Sequence, residues 1–203
     1  MAEVTTSYKV TEIFQSVQGE GLHVGLSCNF IRLAGCPVNC SFCDTDKEKK
    51  FETTEYGILQ ALNPLLDHVV LTGGEPTAQP IGPLCIALRR RGYKIHLETS
   101  GWGGIPRSLV DFVALSPKKE TYASIQSWDN DTVDEVKWLV PTFTPDDIIW
   151  ALADVHWLQP VNFKTTIDKM NLETCLELLQ DTVVPIGKSL RLSVQLHKLI
   201  GVR

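Results

Sequence analysis

The sequence predicts an α/β protein built as an incomplete TIM-type barrel of about six β/α units. Three observations lead to that expectation. Short apolar runs rich in β-branched residues alternate along the chain with stretches of helical periodicity, and strands joined through crossover helices run parallel and curl with one hand. At 203 residues the chain falls short of the roughly 250 that a complete eight-fold barrel needs. Finally, nearly every expected strand ends in a polar or glycine-rich phrase unlike the others. Those phrases are GCPVNCSFC, TGGEP, ETSG, SPK, VPT, LQP and QLHK.

Strands are expected at Cys28–Ala34, His68–Thr72, Lys94–Thr99, Val110–Leu115, Glu135–Val140, Val155–Gln159 and Leu190–Leu196. Each is short, apolar and bounded by turn formers. Helices are expected at Thr54–Asn63, Pro80–Arg91, Thr144–Ala151 and Asn171–Gln180. Thr144 before Pro145, and Asn171 before Leu172, supply N-cap chemistry. No repeat or linker splits the chain, which is expected to be one domain over residues 1–203, with 1–24 as an N-terminal extension and 25–203 as the barrel core. In parallel β/α folds ligands gather at the carboxyl ends of strands, so these strand-end phrases should converge on one mouth.

Composition narrows the function. Hydrophobic residues make up 43% and charged residues 21% of the chain, the balance of a folded globular protein. A net charge of -5 gives no positive field for a sequence-independent grip on nucleic acid. The start, MAEVTTSYKV, lacks a basic and apolar leader, and no run reaches the roughly 18 apolar residues of a membrane span. A cytoplasmic protein without membrane contact is expected. In a reducing compartment its six cysteines read as metal or redox chemistry before disulfides.

Cys36, Cys40 and Cys43 have the spacing C-x3-C-x2-C, which lets one loop wrap its thiolates around a single inorganic centre. Soft thiolates select zinc, copper(I) or iron–sulfur clusters. Structural zinc wants four ligands, and only His23 offers itself as a fourth, so a non-enzymatic zinc or iron–sulfur module stays open at this point. Cys28, Cys85 and Cys175 stand alone within expected strands and helices, as buried inert thiols do. A four-iron cubane held by three cysteines keeps one iron open for an exogenous ligand, as a catalytic cluster needs.

CPVNCSFC, with Phe42 before the last cysteine, resembles the cluster motif of the radical S-adenosylmethionine (SAM) superfamily. The resemblance implies a [4Fe–4S] cluster on Cys36, Cys40 and Cys43. Its open iron would take the amino and carboxylate groups of SAM, whose cleavage yields a 5′-deoxyadenosyl radical. TGGEP then looks like the element that holds the cofactor's methionine end, through Gly73, Gly74 and Glu75. Glu98 and Ser100, then Ser116, Pro117 and Lys118, and Gln159 are further cofactor-binding candidates at successive strand ends.

FQSVQGEG, together with NFIRLAGC, CSFCDT, ETSG, SPK and VQLHK, is similar to the 7-carboxy-7-deazaguanine synthase family within that superfamily. The similarity implies a carbon–nitrogen lyase of queuosine biosynthesis. It would contract the ring of 6-carboxy-5,6,7,8-tetrahydropterin with loss of ammonia. Residues 1–24 become a substrate loop, with Val17, Gln18, Gly19 and Glu20 toward the pterin. Arg32 sits in an apolar strand where an unpaired guanidinium is costly, and is expected to meet the substrate carboxylate rather than an internal partner. Thr45 matches the family's magnesium-binding threonine, so Mg2+ would bridge protein and substrate. Thr72, His197 and the terminal carboxylate of Arg203 complete the substrate set. The resemblance further implies an electron donor such as flavodoxin or ferredoxin, and a homodimer. A glycyl-radical activating enzyme shares the cysteine spacing and a GGEP-like phrase, but FQSVQGEG favours the small substrate.

Overall fold

A computed structural model describes residues 6–43, 45, 50–128, 131–162 and 166–202. Its centre is a nine-stranded sheet in the order β3-β1-β2-β4-β5-β6-β7-β8-β9. The strands are β1 (Ser7–Val17), β2 (Ser27–Leu33), β3 (Phe51–Thr54), β4 (His68–Gly73), β5 (Lys94–Thr99), β6 (Phe112–Leu115), β7 (Glu135–Val140), β8 (Val155–Pro160) and β9 (Ser189–Leu192). From β2 through β9 the neighbouring pairs are parallel. The sheet curls without closing, the incomplete barrel that the alternation predicts.

Strand alternation sorts the side chains. Ile31 and Leu33 of β2, Val69 and Leu71 of β4, Ile95 and Leu97 of β5, and Val136 and Trp138 of β7 face the helices in one continuous core. On the helical side Ile58 of α1 (Glu55–Ala61), Leu84, Cys85 and Leu88 of α2 (Gly82–Arg90), and Cys175 of α4 (Lys169–Asp181) meet them. Fully burying a side chain of this size stabilises by about 1.5–3 kcal/mol, so this layer holds the fold. Intervening residues point into the lumen: Phe30 and Arg32 on β2, Val70 and Thr72 on β4, Glu98 on β5, and Lys137 on β7. Burial also pushes the lone thiols up, Cys28 to about 11 and Cys85 and Cys175 to about 12, which keeps them inert.

Several expectations need correction. The segment before residue 25 is not only a loop: β1 pairs antiparallel with β2 on one side and β3 on the other. A bulge between Val10 and Glu12 breaks its alternation and hides it from a period-two reading. Residues Thr144–Ala151 form no α-helix but two 3₁₀ turns, Pro145–Asp147 and Trp150–Leu152. The Asp147 carboxylate accepts from the Thr144 amide (2.7 Å) and hydroxyl (2.9 Å), closing a tight turn, and Ile148 leaves helical geometry with ψ 112°. The helix expected from Asn171 starts at Lys169, capped by Asp168, whose side chain accepts from the Asn171 amide at 3.0 Å. The last strand stops at Leu192, and Leu196–Leu199 turns into a short helix, α5. A four-residue helix, α3 (Tyr122–Ile125), follows β6.

At the end of the lumen where strands begin, His68 opens β4, His96 lies on β5 and Phe112 opens β6. His23, in the 3₁₀ turn Gly21–His23, packs edge-on against His96 and Phe112 at centroid separations of 4.4 and 4.3 Å. His68 Nδ1 and His96 Nε2 share a hydrogen bond of 2.9 Å, while the Nδ1 atoms of His23 and His96 are buried without a partner. This seat lies away from the cysteine loop, so His23 does not serve it as a fourth ligand.

Candidate active site

The opposite end of the lumen, where strands finish, holds two adjoining cavities of about 540 and 220 Å3. Thr72, Gly73, Glu20, Glu98 and Gln195 face both and so form the wall between them.

The smaller cavity carries the loop after β2. Cys36, Cys40 and Cys43 line it with Phe42, Gly73, Gly74, Ser100, Ser116, Lys118 and Gln159. Backbone contact seats this loop on β4: the Gly74 amide donates to Leu33 O and the Glu75 amide to Gly35 O, each at 2.9 Å. A Cβ at Gly74 would stand 2.0 Å from Gly35 O and 3.1 Å from Cys36 Cβ. Only glycine permits that approach. The TGGEP phrase therefore positions the cysteine loop as well as bordering the cavity.

The thiols fit the donor chemistry of an iron–sulfur cluster, since three soft ligands from one loop face a shared space bordered by a lysine. Among the described residues no three His, Cys, Asp or Glu side chains converge on a single-ion site. Burial pushes the Cys40 thiol up, and the Lys118 ammonium opposes that. Lys118 itself is pushed down to about 8, by burial first, and its Nζ donates to Ser116 O (2.5 Å) and Oγ (2.9 Å).

Two residues of the expected cofactor set sit elsewhere. Pro117 is buried and lines neither cavity. Glu75 is wholly buried, with both oxygens engaged: Oε1 accepts from the Thr77 amide and from the hydroxyls of Thr77 (2.8 Å) and Thr99 (2.7 Å). Oε2 accepts from the Ser100 amide (2.7 Å) and hydroxyl (2.6 Å). The carboxylate shapes the strand ends beneath the cavity instead of lining it, because its lone pairs are already taken. Gln159 does line the cavity, accepting from the Ser193 hydroxyl at 3.0 Å.

Val17, Gln18, Gly19 and Glu20 border the larger cavity, with Arg32, Thr45, Thr72 and His197. Gly19 is pressed against α5: an added Cβ would lie 2.0 Å from His197 Nδ1, and Gly19 O accepts from the Leu196 amide at 2.9 Å. Arg32 departs from expectation in part. It faces the cavity, but its Nε already donates to Glu12 Oε1 at 3.0 Å, and its guanidinium stands 5.8 Å from the Phe14 ring centroid. Thr45 Oγ1 donates to Gly73 O at 3.4 Å. Arg203 lies outside the described residues.

The dividing wall is a charge network centred on Lys137, which the sequence did not mark as a site residue. Lys137, 3% exposed, donates to Glu20 Oε2 at 2.8 Å and to Glu98 Oε2 at 2.6 Å. The free oxygens of the two acids are occupied as well. Gln195 Nε2 donates to Glu20 Oε1 at 2.8 Å, and Gln18 Nε2 donates to Glu98 Oε1 at 3.0 Å. Burial alone would raise Glu20, but the charge and hydrogen bond of Lys137, with Gln195, hold its carboxyl well below the usual range. Burial likewise opposes the Lys137 charge, yet Glu20, Glu98 and Glu135 push its ammonium well above the ordinary value. Two positions back on β7, Glu135 Oε2 accepts from the Leu22 amide (2.8 Å) and Trp157 Nε1 (2.7 Å). Burial pushes Glu135 up to about 7 against the pull of Lys137. Removing one partner from so buried an ion pair costs about 3–5 kcal/mol. The signal lay in EVKWLV, where charged residues occupy alternate positions of a buried strand.

Comparison with known proteins shows the family and the fold. Residues 30–181 match the radical SAM superfamily. A 7-carboxy-7-deazaguanine synthase of Bacteroides thetaiotaomicron is 36% identical, over 96% of this chain and 98% of its own length. One from Synechocystis sp. is 33% identical, over 98% and 96% respectively. The crystal structure of QueE from Escherichia coli superposes with a TM-score of 0.68 at 26% identity, covering 94% of this chain and 95% of that one.

Proposed function

Since the chain belongs to the 7-carboxy-7-deazaguanine synthase family of the radical SAM superfamily, we propose that it converts 6-carboxy-5,6,7,8-tetrahydropterin to 7-carboxy-7-deazaguanine with loss of ammonia, a step toward queuosine. The observation that carries this reading is the pair of cavities with a common wall, one bearing the cysteines and the other bearing Arg32, Gln18, Glu20 and His197.

Cys36, Cys40 and Cys43 would hold the [4Fe–4S] cluster, and Gly73, Gly74, Ser100 and Lys118 would border SAM beside it. When bound, this pair supplies a radical that takes a hydrogen atom from C6 of the pterin and later returns one. Arg32 offers its guanidinium edge, and His197 its imidazole, to the pterin carboxylate. Glu20 and Glu98 accept from the amino and amide edge, and Gln18 spans between them. Thr45 would offer its hydroxyl oxygen to Mg2+, which would supply positive charge beside the substrate carboxylate. Thr72, on the shared wall, stands where the substrate must approach the cofactor. A flavodoxin or ferredoxin supplies the electron, and the working unit is a homodimer.

The test is anaerobic. Protein reconstituted with iron and sulfide is reduced and incubated with the carboxypterin, SAM and Mg2+, and products are separated by mass. Formation of the deazapurine is expected. Cleavage of SAM without any deazapurine would refute the substrate assignment while leaving the superfamily chemistry intact.

A further inference from the structure

We infer that Lys137 is a positioning residue for the pterin: its ammonium, shared by Glu20 and Glu98, fixes both carboxylates as acceptors on the wall of the larger cavity. The inference rests on the reading of that cavity as the pterin site.

The geometry separates what touches the cavity from what lies behind it. Gln18, Glu20, Glu98 and Gln195 all face the larger cavity, whereas Lys137 faces only the smaller one. Each carboxylate spends one oxygen on Lys137 and the other on a glutamine amide. Gln18 closes the arrangement, its Oε1 accepting from the Glu20 amide at 3.3 Å. One cation thus sets the orientation of groups from three separate elements: the loop after β1, the end of β5 and the segment before α5. A lysine is suited to this, because its compact ammonium carries three rotatable donors. Without it, Glu20 and Glu98 would face each other across a buried wall with Glu135 behind them. One of them would then take up a proton or swing away, and either change removes an acceptor from the cavity.

The experiment measures affinity for 6-carboxy-5,6,7,8-tetrahydropterin on the reconstituted holoenzyme with SAM and the cluster oxidised, so that no turnover intervenes. Wild type and Lys137→Met are compared between about pH 6.5 and about pH 9. The groups facing Lys137 and its partners are Glu20, Glu98, Glu135, Lys118, His197 and Lys198. Both proteins keep every one of these groups, so the ratio of the two dissociation constants isolates the lysine and its effect on the carboxylates it neutralises. That ratio is expected to be about tenfold or more at the acid end and to shrink several-fold at the alkaline end, as the unneutralised carboxylates regain charge. A ratio near one throughout, or a loss that does not change with pH, would overturn the inference, since Met fills nearly the same length and a packing role has no reason to titrate. Iron content and circular dichroism confirm the fold of the variant. If Lys137→Met does not fold, Lys137→Gln carries the same comparison with the same decisive results. Failure of the wild type to bind the carboxypterin would instead refute the proposed function, which keeps the two failures apart.

Discussion

The two ends of the lumen solve opposite problems with the same strands. At the end of β5 and midway along β7, the half-buried Glu98 and the buried Lys137 are bonded to each other. Where β4 and β5 begin, His96 is buried between His23 and the half-buried His68, and burial first, then the neighbouring imidazoles, push it down to about 4. The chemical end keeps charge because its acceptors have donors. The supporting end keeps its rings neutral and leaves Nδ1 of His23 and His96 unpartnered. Buried charge is therefore concentrated where a polar ligand can use it.

Four substitutions break or sharpen that contrast. Cys40→Ala at the chemical end should lower SAM cleavage by at least about a thousandfold, with iron content after reconstitution as the check; retained cleavage would remove the cluster from this loop. Gly74→Ala forces the Gly35 carbonyl to move, so about 2 kcal/mol or more of stability should go, read by denaturant unfolding, together with iron loading.

Glu135→Gln tests the boundary between the two regimes. A carboxyl that titrates near 7 when folded and near 4.5 otherwise contributes stability below about pH 4.5 that is lost as pH rises to about 7. The variant should therefore gain on wild type across that window by up to about 3 kcal/mol, and an unchanged difference would show that burial does not hold this proton. His96→Phe gives the reverse sign at the supporting end. A folded value near 4 against an ordinary 6.5 means stability present above about pH 6.5 and lost toward pH 4. The variant should lose about 2 kcal/mol less than wild type on acidification, with turnover at neutral pH within about twofold.

The parallel strands were legible because each is a short apolar run closed by a turn phrase, and the cysteine spacing carried its chemistry openly. What escaped did so for identifiable reasons. β1 was masked by its bulge, and the Thr144–Ala151 stretch has helical periodicity that the Asp147 side chain diverts into a turn. Glu75 carries a motif position, yet tertiary contacts with Thr77, Thr99 and Ser100 consume its oxygens, which no local pattern reveals. Lys137 was visible as a charge inside β7, but its partners are 117 and 39 residues away along the chain. Arg32 shows the same limit, since Glu12 reaches it only through the pairing of β1 with β2.

The hydrogen bond from the Leu196 amide to Gly19 O joins the loop after β1 to the start of α5, segments far apart along the sequence. This seam cannot form until residue 196 has left the ribosome. Until then the substrate side has no rim, so during synthesis the cysteine loop can be complete while the mouth that confines a reactive intermediate is not.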